Sequence, residues 1–266
     1  QSFLFRSPSP DTLSDMNPVY RLCHSMAKNL ARAALNFRVI HPERLIENGP
    51  ALICSNHVSF FDPPLVSISF QKEIHFLARH TLYSNPIARW IFPRVNVTPI
   101  DQDRASMAGL KTAVRLLKDG HRVLIFPEGS RSPDGQLQPA AGGAGLVVAK
   151  SRAPVIPMRL FGAYEALPYG ASTPRFTTVT AVVGQPLTFP EQDFPSTREG
   201  YQAISDAIMA AIASAGERRG TGWRGVHRHE AAFDKPVHGA GGQHKNAVQP
   251  GGLGALLHPF QDPLAV

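Results

Sequence analysis

Two short stretches of the 266-residue chain carry side chains whose types and spacing can do chemistry. The first is Ser55-Asn56-His57-Val58-Ser59-Phe60-Phe61-Asp62-Pro63-Pro64. A carboxylate on one imidazole nitrogen fixes the tautomer and supports the imidazolium, leaving the other nitrogen free as a general base. Asp62 before Pro63 reads as a helix N-cap with proline at the first helical position, which puts His57 in the turn between a strand and a helix. A structural histidine beside a capping aspartate accounts for the same residues. The second stretch is Phe126-Pro127-Glu128-Gly129-Ser130-Arg131-Ser132-Pro133-Asp134-Gly135. Gly129 permits tight backbone geometry, and Arg131 offers a planar fork of donors that matches a phosphate or carboxylate. Ser130, Ser132 and exposed amides add donors, although the same letters also spell ordinary turns.

Both stretches follow apolar runs of strand length. The strand-like runs are 51–54, 74–78, 95–100, 122–126, 155–160 and 177–183, and helical segments at 63–70, 86–92, 106–118, 143–150 and 196–215 lie between or after them. In 106–118, Leu110, Ala113, Val114 and Leu117 share one face and Gly120 stands just past the end as a stop. Strands alternating with helices predict an α/β fold, with a sheet covered by helices on both faces and reactive loops at the strand ends. No internal repeat is visible.

Before this body, Val19, Leu22, Met26, Leu30, Ala33 and Phe37 recur at steps of three and four, predicting an amphipathic helix over 19–38. Arg21, Lys28 and Arg32 fall on another face, so the helix suits either packing on its own domain or a membrane interface. The segment Leu82–Phe92, with Tyr83, Ile87, Arg89, Trp90 and Ile91, admits the same two readings. Residues 1–18 read as a flexible N-terminus without the basic start and apolar run of a secretory signal, and without an initiator Met. From 217 to 266 the apolar pattern stops and Gly and His dominate, which reads as a disordered tail. The five tail histidines lack the Cys or acidic partners of a recognisable metal spacing, so no metal site is expected. No run is long enough for a transmembrane helix. Two cysteines, Cys23 and Cys54, cannot build a disulfide framework, so a reducing cytoplasm is the default. The net charge of +7 suits an anionic partner, whether lipid, phosphorylated metabolite or nucleic acid. Of these, nucleic acid lacks any zinc, RNA-recognition or basic-helix motif, and phosphate-binding GxxxxGK[ST] and GxGxxG loops and the GxSxG elbow are also missing.

Together the two loops are more specific than either alone. Asn-His57-x4-Asp62-Pro, followed by Phe-Pro-Glu128-Gly129-Ser130-Arg131-Ser, resembles the glycerolipid acyltransferase family of lysophosphatidic acid acyltransferases. The strand 95–100 leading to Asp101 and the block Ala153-Pro154-Val155-Ile156-Pro157 add to the resemblance, which spans roughly residues 20–190. It implies a mixed sheet flanked by helices, with the acyltransferase domain at 39–216. It also implies that His57 takes the proton of a lysophospholipid hydroxyl as that oxygen attacks an acyl thioester, with Asp62 orienting the ring. Glu128, Gly129, Ser130 and Arg131 would hold the glycerophosphate head. The donor would be acyl-CoA or acyl carrier protein, with no cofactor, and the enzyme would sit peripherally on the cytoplasmic face of a membrane. Ser130 stands where the family more often has Thr, and Gln102 where it commonly has Arg; Arg104 would then reach the phosphate instead. A thioester hydrolase with Cys54 as nucleophile is the competing enzyme class, against a buried core cysteine as the plain alternative.

Overall fold

The run Ala-Leu-Ile-Cys-Ser, closed in front by Pro50 and behind by polar residues, is apolar on both of its faces and so belongs in the middle of a covered sheet. The computed structural model, which describes residues 16–100, 105–190 and 194–216, places it there. Seven strands, β1 (Arg38–Ile40), β2 (Ala51–Ser55), β3 (His75–Arg79), β4 (Val97–Ile100), β5 (Arg122–Ile125), β6 (Val155–Phe161) and β7 (Thr180–Val183), form one sheet in the order β1-β7-β6-β2-β5-β3-β4. All pairings are parallel except β6 with β7, which makes the sheet mixed, as the resemblance implies.

Alternate β2 residues feed two separate cores, since side chains in a strand point to opposite faces. Ala51 and Ile53 join one cluster with Leu65, Val66 and Phe70. That face carries helices α1 (Pro18–Leu35) and α2 (Asp62–Ser67). Leu52 and Cys54 join the other, with Ala113, Val147 and Ile208. These come from α4 (Ala105–Lys118), α5 (Gly143–Ser151) and α7 (Arg198–Ser214). The helix expected at 106–118 ends in the anticipated way: Gly120, at φ 91°, sends its N–H to Leu117 O, and His121 N–H reaches Leu116 O. Between β3 and β4, the short helix α3 (Pro86–Ile91) sits between single 3-10 turns at His80–Ser84 and Phe92–Val95. The one-turn helix α6 (Ala163–Ala166) follows β6.

The first helix differs from its sequence pattern in a telling way. The face that packs on the domain holds Tyr20, Ala31 and Leu35, and Tyr20 Oη bonds Ser67 Oγ (2.9 Å) and accepts from Ile74 N–H (3.1 Å). The stripe read as the apolar face therefore turns outward, leaving Leu22, Met26 and Leu30 60%, 63% and 68% exposed. The helix has apolar residues on two sides, and its polar anchors settle which side goes in. It stops at Leu35 rather than 38, because Asn36 takes the left-handed conformation and Arg38 pairs with Thr180 in β1. Among the described residues no helix is long and apolar enough to cross a membrane. The segments read as a flexible N-terminus (up to residue 15) and as a disordered tail (217–266) lie outside the described residues.

Candidate active site

The carboxyl ends of β2 and β5, adjacent and parallel, bring the two loops together. His57 sits in the β2 loop, completely buried, with its ring stacked on Phe126 of the β5 loop at 3.9 Å between centroids and 14° between planes. His57 Nδ1 lies 2.8 Å from Asp62 Oδ2. That same oxygen accepts from the N–H groups of Val58 (2.6 Å) and Ser59 (2.7 Å). An ionised carboxylate only accepts, so Nδ1 carries the proton and Nε2 keeps its lone pair. Nε2 has no hydrogen-bond partner among the described residues.

One local expectation is corrected here. Asp62 is the first residue of α2, not its N-cap, and Phe61 occupies the cap position without a side-chain bond. The Asp62 carboxylate turns back over its own loop instead of forward onto the helix. Pro63 and Pro64 have no N–H and the N–H of Leu65 goes to Phe61 O, so no donor is left for a forward cap.

Four further bonds fix the main chain around His57. Asn56, buried just before it, pairs edge-on with β6: its Oδ1 accepts from Leu160 N–H (2.7 Å) and its Nδ2 donates to Leu160 O (3.1 Å). The N–H of His57 donates to Glu128 Oε1 (2.8 Å), and Ser132 N–H donates to the carbonyl of His57 (2.7 Å). The other Glu128 oxygen accepts from Gln138 N–H (3.0 Å). Burial pushes the Glu128 carboxyl up to about 7 against the lowering effect of these two bonds, with the charge of Asp62 adding to the rise.

Gly129 turns the β5 loop at φ 77°, where a side chain would be strained although nothing lies within 4 Å of a Cβ there. Ser130 is exposed, whereas Arg131 is buried, with its guanidinium over the Tyr169 ring at 5.0 Å. Arg104 lies outside the described residues.

Two cavities flank the loops. One, of about 410 Å³, opens between α1, α2 and the segment 82–97, with a nearly all-apolar lining that includes Phe60, Phe61, Ile91 and Phe92. The other, of about 700 Å³, lies toward α4, α5 and α7, and Arg79, Phe126, Gly129 and Arg198 line it. Among the described residues its charged lining is Arg79 and Arg198, with no Asp or Glu. Pro63 and Phe76 border both cavities.

Residues 36–160 match the model of the acyltransferase family. Both loops lie within that match. Over 124 residues, 46% of this chain, the sequence is 36% identical to a chloroplastic 1-acyl-sn-glycerol-3-phosphate acyltransferase of Arabidopsis thaliana, and spans 35% of that protein. A chloroplastic 1-acyl-sn-glycerol-3-phosphate acyltransferase of Brassica napus is 33% identical over the same length, with 36% of that protein covered. The chain thus spans about a third of these two plant relatives. It is also 23% identical to the 1-acyl-sn-glycerol-3-phosphate acyltransferase of Bacillus subtilis over 73% of this chain and 95% of that protein. In fold, it resembles the crystal structure of the 1-acyl-sn-glycerophosphate acyltransferase from Thermotoga maritima, with a TM-score of 0.65, 23% identity, and 80% and 86% of the two chains covered.

The structure joins His57, Asp62, Glu128, Gly129, Ser130 and Arg131 in one pair of loops, as the sequence pattern anticipates. It keeps Cys54 apart: the thiol is wholly buried in the α4–α5–α7 core, and burial pushes its pKa far up, so it is no nucleophile. Sequence reading missed Arg79. It is the last residue of a parallel strand, the position where ligands of such sheets are met, but the apolar pattern of β3 fades at Ala78 and the strand was expected to stop there.

Proposed function

We propose that this chain moves a fatty acyl group from an acyl thioester to the free hydroxyl of a lysophospholipid, converting 1-acylglycerol-3-phosphate to phosphatidic acid in phospholipid biosynthesis. The observation that carries the reading is the buried His57–Asp62 pair, whose Nε2 has no partner among the described residues, on loops that border an apolar cavity and a second one lined by Arg79 and Arg198. The names of the acyltransferase relatives support it.

The steps follow from the residues. Nε2 of His57 takes the hydroxyl proton as the acceptor oxygen attacks the thioester carbonyl carbon. The buried Asp62 carboxylate stabilises the imidazolium that forms. Collapse of the tetrahedral intermediate breaks the carbon–sulfur bond, and the departing thiolate takes the proton back from Nε2. No electron transfer is involved, and the two substrates supply every atom. The glycerophosphate head is held by Gly129, Ser130 and Arg131, with Arg79 and Arg104 as further cations. The donor is acyl-CoA or acyl carrier protein. The apolar cavity takes a lipid chain, and the outward apolar residues of α1 and α3 rest on the cytoplasmic face of a membrane, where the enzyme is peripheral.

The test is incubation of the chain in detergent micelles with labelled acyl-CoA or labelled acyl carrier protein thioester, with and without 1-acylglycerol-3-phosphate. Label in phosphatidic acid with either donor is the expected result. Free fatty acid formed at the same rate without acceptor would make the protein a thioesterase instead.

A further inference from the structure

Glu128 is implied by the family resemblance to be a ligand of the phosphate head, yet its position points elsewhere. Its neighbours Pro127 and Gly129 both line the larger cavity, and Glu128 does not. The side chain is buried beneath the turn, with one oxygen on the N–H of His57 and the other on the N–H of Gln138. A carboxylate is also a poor partner for a phosphate, since the like charges repel.

From this geometry we infer that Glu128 is a positioning residue for His57 and not a ligand of the head group. The inference rests on the acyl-transfer reading above. His57 is then held in two independent ways. Asp62 grips the ring at Nδ1, while the 128–132 segment grips the main chain on both sides: Glu128 accepts from the N–H and Ser132 donates to the carbonyl. The Gln138 bond closes the 129–137 turn onto the same carboxylate, so the clasp also ties the anion-facing turn to the base. Without the clasp the imidazole keeps its partner Asp62 but loses the fixed main chain that aims Nε2. Small misplacements of a reacting group are costly to turnover and need not touch substrate affinity.

The experiment compares Glu128→Ala and Glu128→Gln with the unaltered full chain on 1-acylglycerol-3-phosphate and on a phosphate-free 1-acylglycerol. For Glu128→Ala the expected kcat loss is about 30-fold or more, with KM for the phosphorylated acceptor changed less than about threefold. The same kcat factor should appear with the phosphate-free acceptor, because the defect lies in the base. Glu128→Gln, which keeps one carbonyl acceptor for the two N–H groups, should lose less than Glu128→Ala. Melting temperatures identify a variant that does not fold, and in that case Glu128→Gln alone decides through the same kcat-against-KM split. A rise in KM at retained kcat, or a loss that vanishes with the phosphate-free acceptor, would return Glu128 to the head group and overturn the inference. Failure of the unaltered chain to acylate either acceptor would instead overturn the acyl-transfer reading itself.

Discussion

The two faces of the sheet offer opposite environments beside one pair of loops. On the α1–α2 face lies a cavity walled by Phe60, Phe61, Ile91 and Phe92, and Leu22, Met26 and Leu30 project outward beside it. On the α4–α5–α7 face the cavity is larger and carries Arg79 and Arg198 with no acidic residue among those described. A molecule with an alkyl chain and an anionic head is amphiphilic in the same sense. Under the proposed reaction, the difference between the faces suits the chain on one side and the phosphate on the other.

Changes at the junction should break both halves at once. Asp62→Asn removes the negative charge that supports the imidazolium, whichever way its amide turns toward the three donors that converge there. The expected loss is on the order of 10²-fold in kcat with any acceptor, measured at saturating substrates. The proposed head-group cations are probed next: Arg79→Ala and Arg131→Ala should each raise KM for 1-acylglycerol-3-phosphate about tenfold, and leave a phosphate-free acceptor nearly unaffected, as expected for the loss of one charge-assisted hydrogen bond. Equal effects on both acceptors would erase the division between the faces.

The apolar side is tested by sedimentation with anionic vesicles. Replacing Leu22, Met26 and Leu30 together by Ser should weaken vesicle binding severalfold, since each loses apolar area that it can bury in lipid. Melting temperature should barely move, because none of the three packs on the domain. A large fall in stability would mean that this stripe belongs to the fold after all.

These three leucine and methionine positions also mark where the sequence was ambiguous. Periodicity revealed the helix, but apolar side chains lie on two of its faces, and only Tyr20 reaching Ser67 and Ile74 selects the inner one. Strand β1, with three residues, and α6, with four, are too short to carry a period. Strand β2 was legible because burial on both faces leaves an unbroken apolar run. The His57–Asp62 pairing was legible from spacing, whereas the backward turn of Asp62 followed from the two prolines that deny it a cap. The destinations of the two Glu128 oxygens depend on long-range neighbours and leave no trace in the local sequence.

The smallest effect expected is in the pH dependence of stability. Burial holds the Glu128 carboxyl at about 7, above its ordinary 4.5, so the folded state binds that proton more tightly than the unfolded chain. This contribution is fully present below pH 4.5 and is lost as pH rises toward and through about 7. Exposed Glu43, Asp134 and Glu199, which are shifted down, act in the opposite sense at lower pH. The difference between the unaltered chain and Glu128→Gln, followed by chemical denaturation from pH 5 to 8, isolates the term. The unaltered chain should lose up to about 3 kcal/mol relative to the variant over that range. A flat difference would place the Glu128 carboxyl near its ordinary value.

The central claim is that the unpartnered Nε2 of His57 is the base for acyl transfer. Its most direct test is the rate of phosphatidic acid formation by His57→Ala beside the unaltered chain, with melting temperatures showing both folded. Removal of a positioned general base predicts a loss of 10²-fold or more in kcat. A folded His57→Ala that turns over at nearly the original rate would contradict the account.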